Sequence, residues 1–353
     1  MLPPSGPFHP PIRPETGRTV AVISLSSATR SRFPARVKRA ISTLSTVLDR
    51  PVRMVPEEGY AGIVAGSPAS RAAALHDLIT DPETGMIMFS VGGFNGNDVL
   101  NDMAEWAAHV PRKPMVGYSD STAVLVTYQT LARSIVFYGP AAIPQFGEWP
   151  APFSESVQDL MATVLDGRPR RWEWPSWYTQ QETDWADGDE FIRPSHGRSR
   201  PLVLRPGAGS GVLIGGNVPT LNLLAGTPWL PRVDGPTVLA IEGTADAAQP
   251  EALRKWMRHL SQIGLLDTVV ALLIGRVPHN SRYPRRIEDT AALLADLLPT
   301  SVPIVADMPF GHTDPIITLP LGAPVEVVAE GTTVSVRTTA ATTVPADGPA
   351  VPL

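Results

Sequence analysis

The chain has 353 residues and no cysteine. That absence excludes disulfides, thiolate metal sites and thiol nucleophiles, and it is compatible with a reducing compartment. Charge is sparse too: charged residues make up 18%, with 29 Lys and Arg against 34 Asp and Glu, for a formal net charge of -5. No run of Lys and Arg is concentrated anywhere, which speaks against a nucleic-acid polymer or an anionic membrane as partner. No stretch offers the roughly 18 uninterrupted apolar residues that a spanning helix needs. The proline-rich start, Met1 to Pro14, holds no apolar segment of signal-peptide length. A cytoplasmic protein with no membrane partner is expected.

The usual cofactor signatures are also missing. The stretch Gly92-Gly93-Phe94-Asn95-Gly96-Asn97 fails the G-x-G-x-x-G spacing. Gly207-Ala208-Gly209-Ser210-Gly211 lacks the right helix after it, and no Gly-Lys-Ser/Thr is present. No His-x-x-x-His pair or comparable ligand cluster suggests a metal. Chemistry with neither metal nor organic cofactor is expected.

What the chain does contain is 43% hydrophobic residues, arranged in two textures. Up to about residue 150, short β-branched or apolar runs (Thr19 to Leu25, Gly85 to Val91, Pro114 to Tyr118) alternate with helical spacing over Arg36 to Leu48, Ser70 to Leu78, Asp98 to Ala108 and Ser121 to Ala132. Strand–helix alternation predicts a parallel sheet covered on both faces. Between residues 151 and 200 the pattern breaks into Pro, acidic residues and the tryptophans Trp172, Trp174, Trp177 and Trp185, as in a linker or lid. From residue 201 to 338 short strands and helices predict a second, α+β domain. A leader over 1–16 and a tail over 339–353 are expected to be flexible.

Ser119 lies in Gly117-Tyr118-Ser119-Asp120-Ser121-Thr122, between a predicted strand end and a predicted helix start. A serine at such a bend projects outward, and the unpaired N–H groups of the first helical turn face any oxyanion forming beside it. Alternatively, Ser119 or Asp120 simply caps the helix. The glycine pair Gly92-Gly93 follows the preceding strand, at the sheet edge where α/β proteins gather their sites. A plain strand-to-helix turn would read the same way.

A serine nucleophile needs a base, and seven histidines are present. His9 lies in the leader, and His76, His109 and His259 fall on predicted helices. His196 and His279 sit in polar loops. His312 stands in Pro309-Phe310-Gly311-His312-Thr313-Asp314-Pro315, a constrained loop directly after a buried strand. Turn backbone could equally satisfy it. Glu242 closes the apolar run Val238-Leu239-Ala240-Ile241, and a carboxylate there is costly unless it finds a partner. The order is Ser, Glu, His.

Together these motifs resemble the LD-carboxypeptidase family of serine peptidases, particularly its microcin C self-immunity subgroup. The blocks are Ala65-Gly66-Ser67-Pro68 with Arg71, Gly92-Gly93, Gly117-Tyr118-Ser119-Asp120, Tyr138-Gly139-Pro140, Gly215-Gly216-Asn217, Ile241-Glu242 and Pro309-Phe310-Gly311-His312-Thr313. The resemblance implies a flavodoxin-like three-layer domain with a parallel sheet, joined to a C-terminal α+β domain with a β-barrel-like core. The site then lies at their junction, and a homodimer is expected. Ser119 is implied as nucleophile, His312 as general base and acid, and Glu242 as orienting carboxylate, with the Gly93 and Asp120 amides as oxyanion hole. The first glycine block departs from the Arg-Gly-Gly-Tyr-Gly of murein-trimming members and is closer to the Gly-Gly-x-Asn-x-Asn of the immunity subgroup. That subgroup cleaves the amide joining an aminoacyl or peptidyl part to a nucleotide analogue. Trp177 and Trp185 are its candidates for stacking on the base, which offers a π-face, and Asn217 is a further substrate-binding candidate. Packing of the domain junction would explain the tryptophans equally well. The loop departs from the subgroup pattern around Tyr178 to Thr183. Two other readings remain: murein carboxypeptidase action, and a catalytically weak protein that sequesters a peptidyl-nucleotide.

Overall fold

The structure, a computed structural model, describes residues 6–59, 63–180, 185, 190–197, 199–244, 246–247, 249–278 and 289–346. In the first half, β1 (Thr19–Ile23), β2 (Val52–Met54), β3 (Thr84–Phe89), β4 (Met115–Gly117) and β5 (Val136–Tyr138) are linked by α1 (Pro34–Leu48), α2 (Pro68–Thr80), α3 (Leu100–Ala104) and α4 (Thr122–Ala132). These strands pair in parallel in the order β2-β1-β3-β4-β5. This is the flavodoxin-like order, in which sites form beyond the strands' carboxyl ends near the β1/β3 switch point. Each core strand is almost wholly buried, so its sequence is a continuous apolar run and not an alternating one.

Helices α5 (Ala142–Phe146) and α6 (Ser154–Leu160) lead away from this sheet. The second sheet is built from β6 (Leu202–Arg205), β7 (Gly207–Asn217), β8 (Thr237–Glu242), β9 (Val269–Gly275), β10 (Ile304–Met308), β12 (Pro324–Glu330) and β13 (Thr333–Thr338), with β11 (Leu319–Leu321) the exception. Its order is β13-β12-β7-β8-β9-β10-β6, parallel from β7 to β10 and antiparallel at both ends. It curls so that β6 approaches β12 and β13, forming a half-barrel. Helices α7 (Val218–Leu223), α8 (Pro250–Gln262) and α9 (Asp289–Leu293) pack beside it. Strand β11 crosses over and pairs antiparallel with β5, Leu319 opposite Tyr138 and Leu321 opposite Val136. The second half of the chain thus completes the first sheet.

Helix α4 explains why the two sheets share one core. Every residue from Thr122 to Thr130 is buried, whichever way it points. A helix that is apolar on one stripe packs on one sheet, whereas one buried all round must be covered on both sides. Here α4 lies between β4 and β5 on one side and β7 and α7 on the other.

Several local expectations are revised. Helix α2 begins two residues before Ser70, because Pro68 occupies its first turn and Ser67 Oγ accepts the Ser70 N–H at 3.1 Å. The helix expected over Asp98 to Ala108 is broken into two 3-10 turns around the short α3. Residues 6–16, expected as a loose leader, run along the molecule: the His9 N–H donates to Arg133 O at 2.7 Å, and the Ile135 N–H to His9 O at 2.8 Å. Phe8 is held beneath the Arg133 guanidinium at 3.9 Å. The tail is anchored as far as Val344, whose N–H donates to Pro11 O at 3.0 Å while its carbonyl accepts from Arg13 N–H at 2.7 Å. Proline-rich segments cannot form ladders of their own but can be pinned by the few amides between prolines. Among the described residues no helix is long and apolar enough to cross a membrane.

Candidate active site

Strand β4 ends at Gly117, and the chain turns at Ser119 into a 3-10 turn, Ser119–Ser121, that runs on into α4. Ser119 has φ +62°, a left-handed conformation that is uncommon for a non-glycine residue. Such backbone costs about 1–3 kcal/mol and persists only where the surroundings enforce it. Here the Ser119 N–H donates to Tyr138 Oη at 2.9 Å, and Thr122 Oγ1 donates to Ser119 O at 2.7 Å. Bending the chain this sharply lifts the hydroxyl out of the sheet edge, in the manner of a nucleophile elbow.

The second sheet brings the partners. Glu242 is the last residue of β8, and His312 follows β10. His312 Nε2 lies 3.0 Å from Ser119 Oγ, and its Nδ1 lies 2.5 Å from Glu242 Oε2. The other Glu242 oxygen accepts from Tyr138 Oη at 2.5 Å and from Asn217 Nδ2 at 3.0 Å. Gly311 makes this approach possible: at φ +100°, a Cβ there would lie 2.4 Å from Glu242 Oε2. Burial alone would lower the His312 pKa, but the adjacent Glu242 charge and its hydrogen bond outweigh burial and hold it above the ordinary histidine value. Burial pushes Glu242 up, yet His312, Tyr138 and Asn217 together hold it below the usual carboxylate range.

Opposite the serine, Gly92 packs so closely that a Cβ on it would lie 2.8 Å from Ser119 Cβ and 3.2 Å from the Asp120 N. Gly93, at φ +116°, turns the loop where a Cβ would collide with Ser27 Oγ. The Asp120 carboxylate, pushed up by burial, accepts from Ser26 Oγ at 2.6 Å and from the Gly96 N–H at 2.7 Å. It therefore ties the loops after β1 and β3 to the Ser119 turn, a role its sequence context gave no reason to expect.

A second polar group supports the histidine loop. The Tyr118 ring meets His312 edge-on at 5.3 Å between centroids. Asp314 accepts from Gln145 Nε2 at 3.1 Å and from Arg193 at 2.9 Å, and Arg193 also grips Glu148 with two bonds of 3.0 and 2.9 Å. Arg36 pairs with the same Glu148 at 3.1 Å, and all four charged side chains are under 10% exposed. Thr179 bridges Asp314 through both backbone amides, at 2.7 and 2.9 Å, so the segment expected as a lid is laced to the His312 loop.

Ser119, His312 and Glu242 are linked by hydrogen bonds, with Asp120 next to Ser119 in the chain and Gly92, the neighbour of Gly93, packed against the serine. The three substrate-binding candidates lie differently. The Asn217 side chain is already committed, its Nδ2 to Glu242 and its Oδ1 capping α7 by accepting the Thr220 N–H at 3.2 Å. Trp177 donates to Glu155 at 2.9 Å and packs edge-on against Phe153. Trp185 lies over the Arg36 guanidinium at 4.3 Å and meets Phe33 edge-on. Both rings are thus engaged by the protein's own side chains. His279 and lid residues 181–184 and 186–189 lie outside the described residues. Among the described residues no three His, Asp or Glu are grouped as a metal ion would require.

A flavodoxin-ordered sheet joined to a curled mixed sheet, with a Ser–His–Glu cluster at the seam, defines a two-sheet peptidase architecture. The chain belongs to the LD-carboxypeptidase family: residues 20–139 match the LD-carboxypeptidase N-terminal domain and residues 210–327 the C-terminal domain. A Vibrio cholerae protein bearing a carboxypeptidase name is 28% identical over 259 residues, covering 73% of this chain and 76% of its own. The microcin C7 self-immunity protein MccF of Escherichia coli is 25% identical over 276 residues, 77% of this chain and 79% of its own. Among solved structures, MccF in complex with aspartyl sulfamoyl adenosine superposes with a TM-score of 0.82 at 21% identity, covering 95% of this chain and 100% of that one. At that identity the likeness speaks for the fold.

Proposed function

We propose that the protein is a serine peptidase or amidase. In this reading it hydrolyses, through an acyl-enzyme, the amide bond joining an aminoacyl or peptidyl group to a nucleotide-like leaving group. The observation that carries the proposal is the placement of one imidazole between the Ser119 hydroxyl, at 3.0 Å, and a buried carboxylate, at 2.5 Å. Family membership supports peptidase chemistry, and the aspartyl sulfamoyl adenosine bound to MccF supports the substrate class.

In this reading the triad passes one proton back and forth in two rounds. His312 Nε2 takes the Ser119 proton as Oγ attacks the carbonyl, and the imidazolium is stabilised by the ionised Glu242. The oxyanion is held by the Gly93 and Asp120 amides, a contribution of about 10²–10³ in rate per donor in comparable sites. His312 then protonates the departing nitrogen, and the amine leaves. Water attacks the ester with the proton transfers repeated, and Ser119 regains its hydrogen as the acid is released.

The test offers purified protein an aminoacyl sulfamoyl adenosine and, separately, a murein tetrapeptide, and reads product masses. Nucleoside product with wild type and none with Ser119→Ala supports the reading. Trimming of the murein peptide alone replaces the leaving group, and tight binding without product replaces catalysis by sequestration. Turnover that survives Ser119→Ala overturns the nucleophile assignment.

A further inference from the structure

We propose that Tyr138 is a positioning residue of this site, closing a ring of hydrogen bonds that runs from the Ser119 N–H through the Tyr138 hydroxyl and Glu242 to His312 and back to the Ser119 hydroxyl. The inference rests on the reading of Ser119 as nucleophile. Its links measure 2.9 Å (Ser119 N to Tyr138 Oη), 2.5 Å (Tyr138 Oη to Glu242 Oε1), 2.5 Å (Glu242 Oε2 to His312 Nδ1) and 3.0 Å (His312 Nε2 to Ser119 Oγ).

The direction of the ring is fixed by chemistry. An amide N–H can only donate, so the phenol oxygen accepts from Ser119 and must spend its single proton elsewhere. The ionised Glu242 is acceptor-only and takes that proton. Burial and the neighbouring carboxylate push the phenol pKa well above its ordinary value, so the hydroxyl keeps its proton. Tyr138 is fully buried at the end of β5, the strand paired with β4 on one side and with β11 on the other. It is therefore held from both sides where the two halves of the chain meet.

Tyr138 has two consequences for the reaction. First, it fixes the N–H of a residue in left-handed backbone, holding the turn that aims Oγ at His312. Second, it shares the Glu242 charge. A carboxylate that donates less of its charge to Tyr138 has more to offer His312, so the imidazolium is favoured more strongly. A purely space-filling tyrosine would do neither.

The test compares wild type with Tyr138→Phe, which keeps the ring and removes the hydroxyl. Asn217 still bonds the same Glu242 oxygen, so that oxygen is not left bare. The His312 titration midpoint, followed by NMR without any substrate, is expected to rise by about half a unit to one unit. The acid limb of kcat for hydrolysis of an aminoacyl sulfamoyl adenosine should move with it, and kcat should fall roughly 10- to 100-fold. Site-specific 3-fluorotyrosine at position 138 preserves the fold and makes the hydroxyl a stronger donor, so it should move the midpoint the opposite way. Midpoints that stay put in both variants make Tyr138 a core residue and overturn the proposal, while Ser119→Ala, measured alongside, reports separately on the nucleophile. Activity retained in Ser119→Ala removes the underlying reading, and the proposal falls with it.

Discussion

Replacing Glu242 by Gln removes one charge and changes almost no volume, and its cost can be worked from the three donors that converge on the side chain. His312, Tyr138 and Asn217 each direct a hydrogen at the carboxylate, whose side chain is 0% exposed. A glutamine has one acceptor oxygen and an NH₂ group that must face at least one donor. Turning NH₂ toward Tyr138 and Asn217 sets two donors against it, whereas turning it toward His312 sets only one. The second orientation is therefore preferred by about one net hydrogen bond, on the order of 1 kcal/mol. In that orientation Nδ1 must accept, so the imidazole carries its proton on Nε2, facing Ser119 Oγ, and cannot act as base. Loss of the carboxylate also withdraws the charge that stabilises the imidazolium. Together these effects amount to roughly 4–6 kcal/mol, or about 10³–10⁴ in kcat/KM. The assay is release of nucleoside product from an aminoacyl sulfamoyl adenosine across a pH series. In the wild type, neutral His312 is the active form and its pKa is raised, so the acid limb should lie above about 6.5. With the carboxylate neutralised, burial dominates and the limb should move down. Retention of more than about a tenth of wild-type kcat/KM, or an unmoved acid limb, would refute the reasoning.

Two further outcomes concern the framework. Gly311→Ala places a methyl 2.4 Å from Glu242 Oε2 on backbone of φ +100°, so turnover should be lost along with about 1–3 kcal/mol of stability, read by urea unfolding. Arg193→Ala strips a shared cation from buried Glu148 and Asp314 and should cost about 3–5 kcal/mol, whereas mutating the exposed Arg168, which pairs with Asp166, should leave the urea midpoint where it is. Equal losses in the two arginine variants would count against a structural role for the Arg193 cluster.

Much of the fold was legible because the first five strands and their helices follow one another in a simple alternation. The places of Ser119, Glu242 and His312 were legible for a related reason: each stands at or shortly after the end of a buried strand, where a polar side chain needs a partner. Tyr138, Arg193 and Glu148 were not, since their partners lie far away in sequence and only the folded chain brings them together. Strand β5 is three residues long, too short for periodicity to show, and its pairing with β11 joins residues more than 180 positions apart. The contacts of Asn217 were not legible either. The resemblance offered it as a substrate-binding candidate, and in the folded chain its two polar side-chain atoms bond Glu242 and cap α7.

The crossing of β11 also sets a schedule for biosynthesis. A ribosome delivers β1 to β5 and the Ser119 turn long before residues 319–321 exist, so the first sheet waits with an open edge beside Val136 to Tyr138. His312 emerges only a few residues ahead of that closing strand. The nascent protein therefore carries a hydroxyl without its base for most of its synthesis, and the reactive assembly and the last strand of the sheet arrive together.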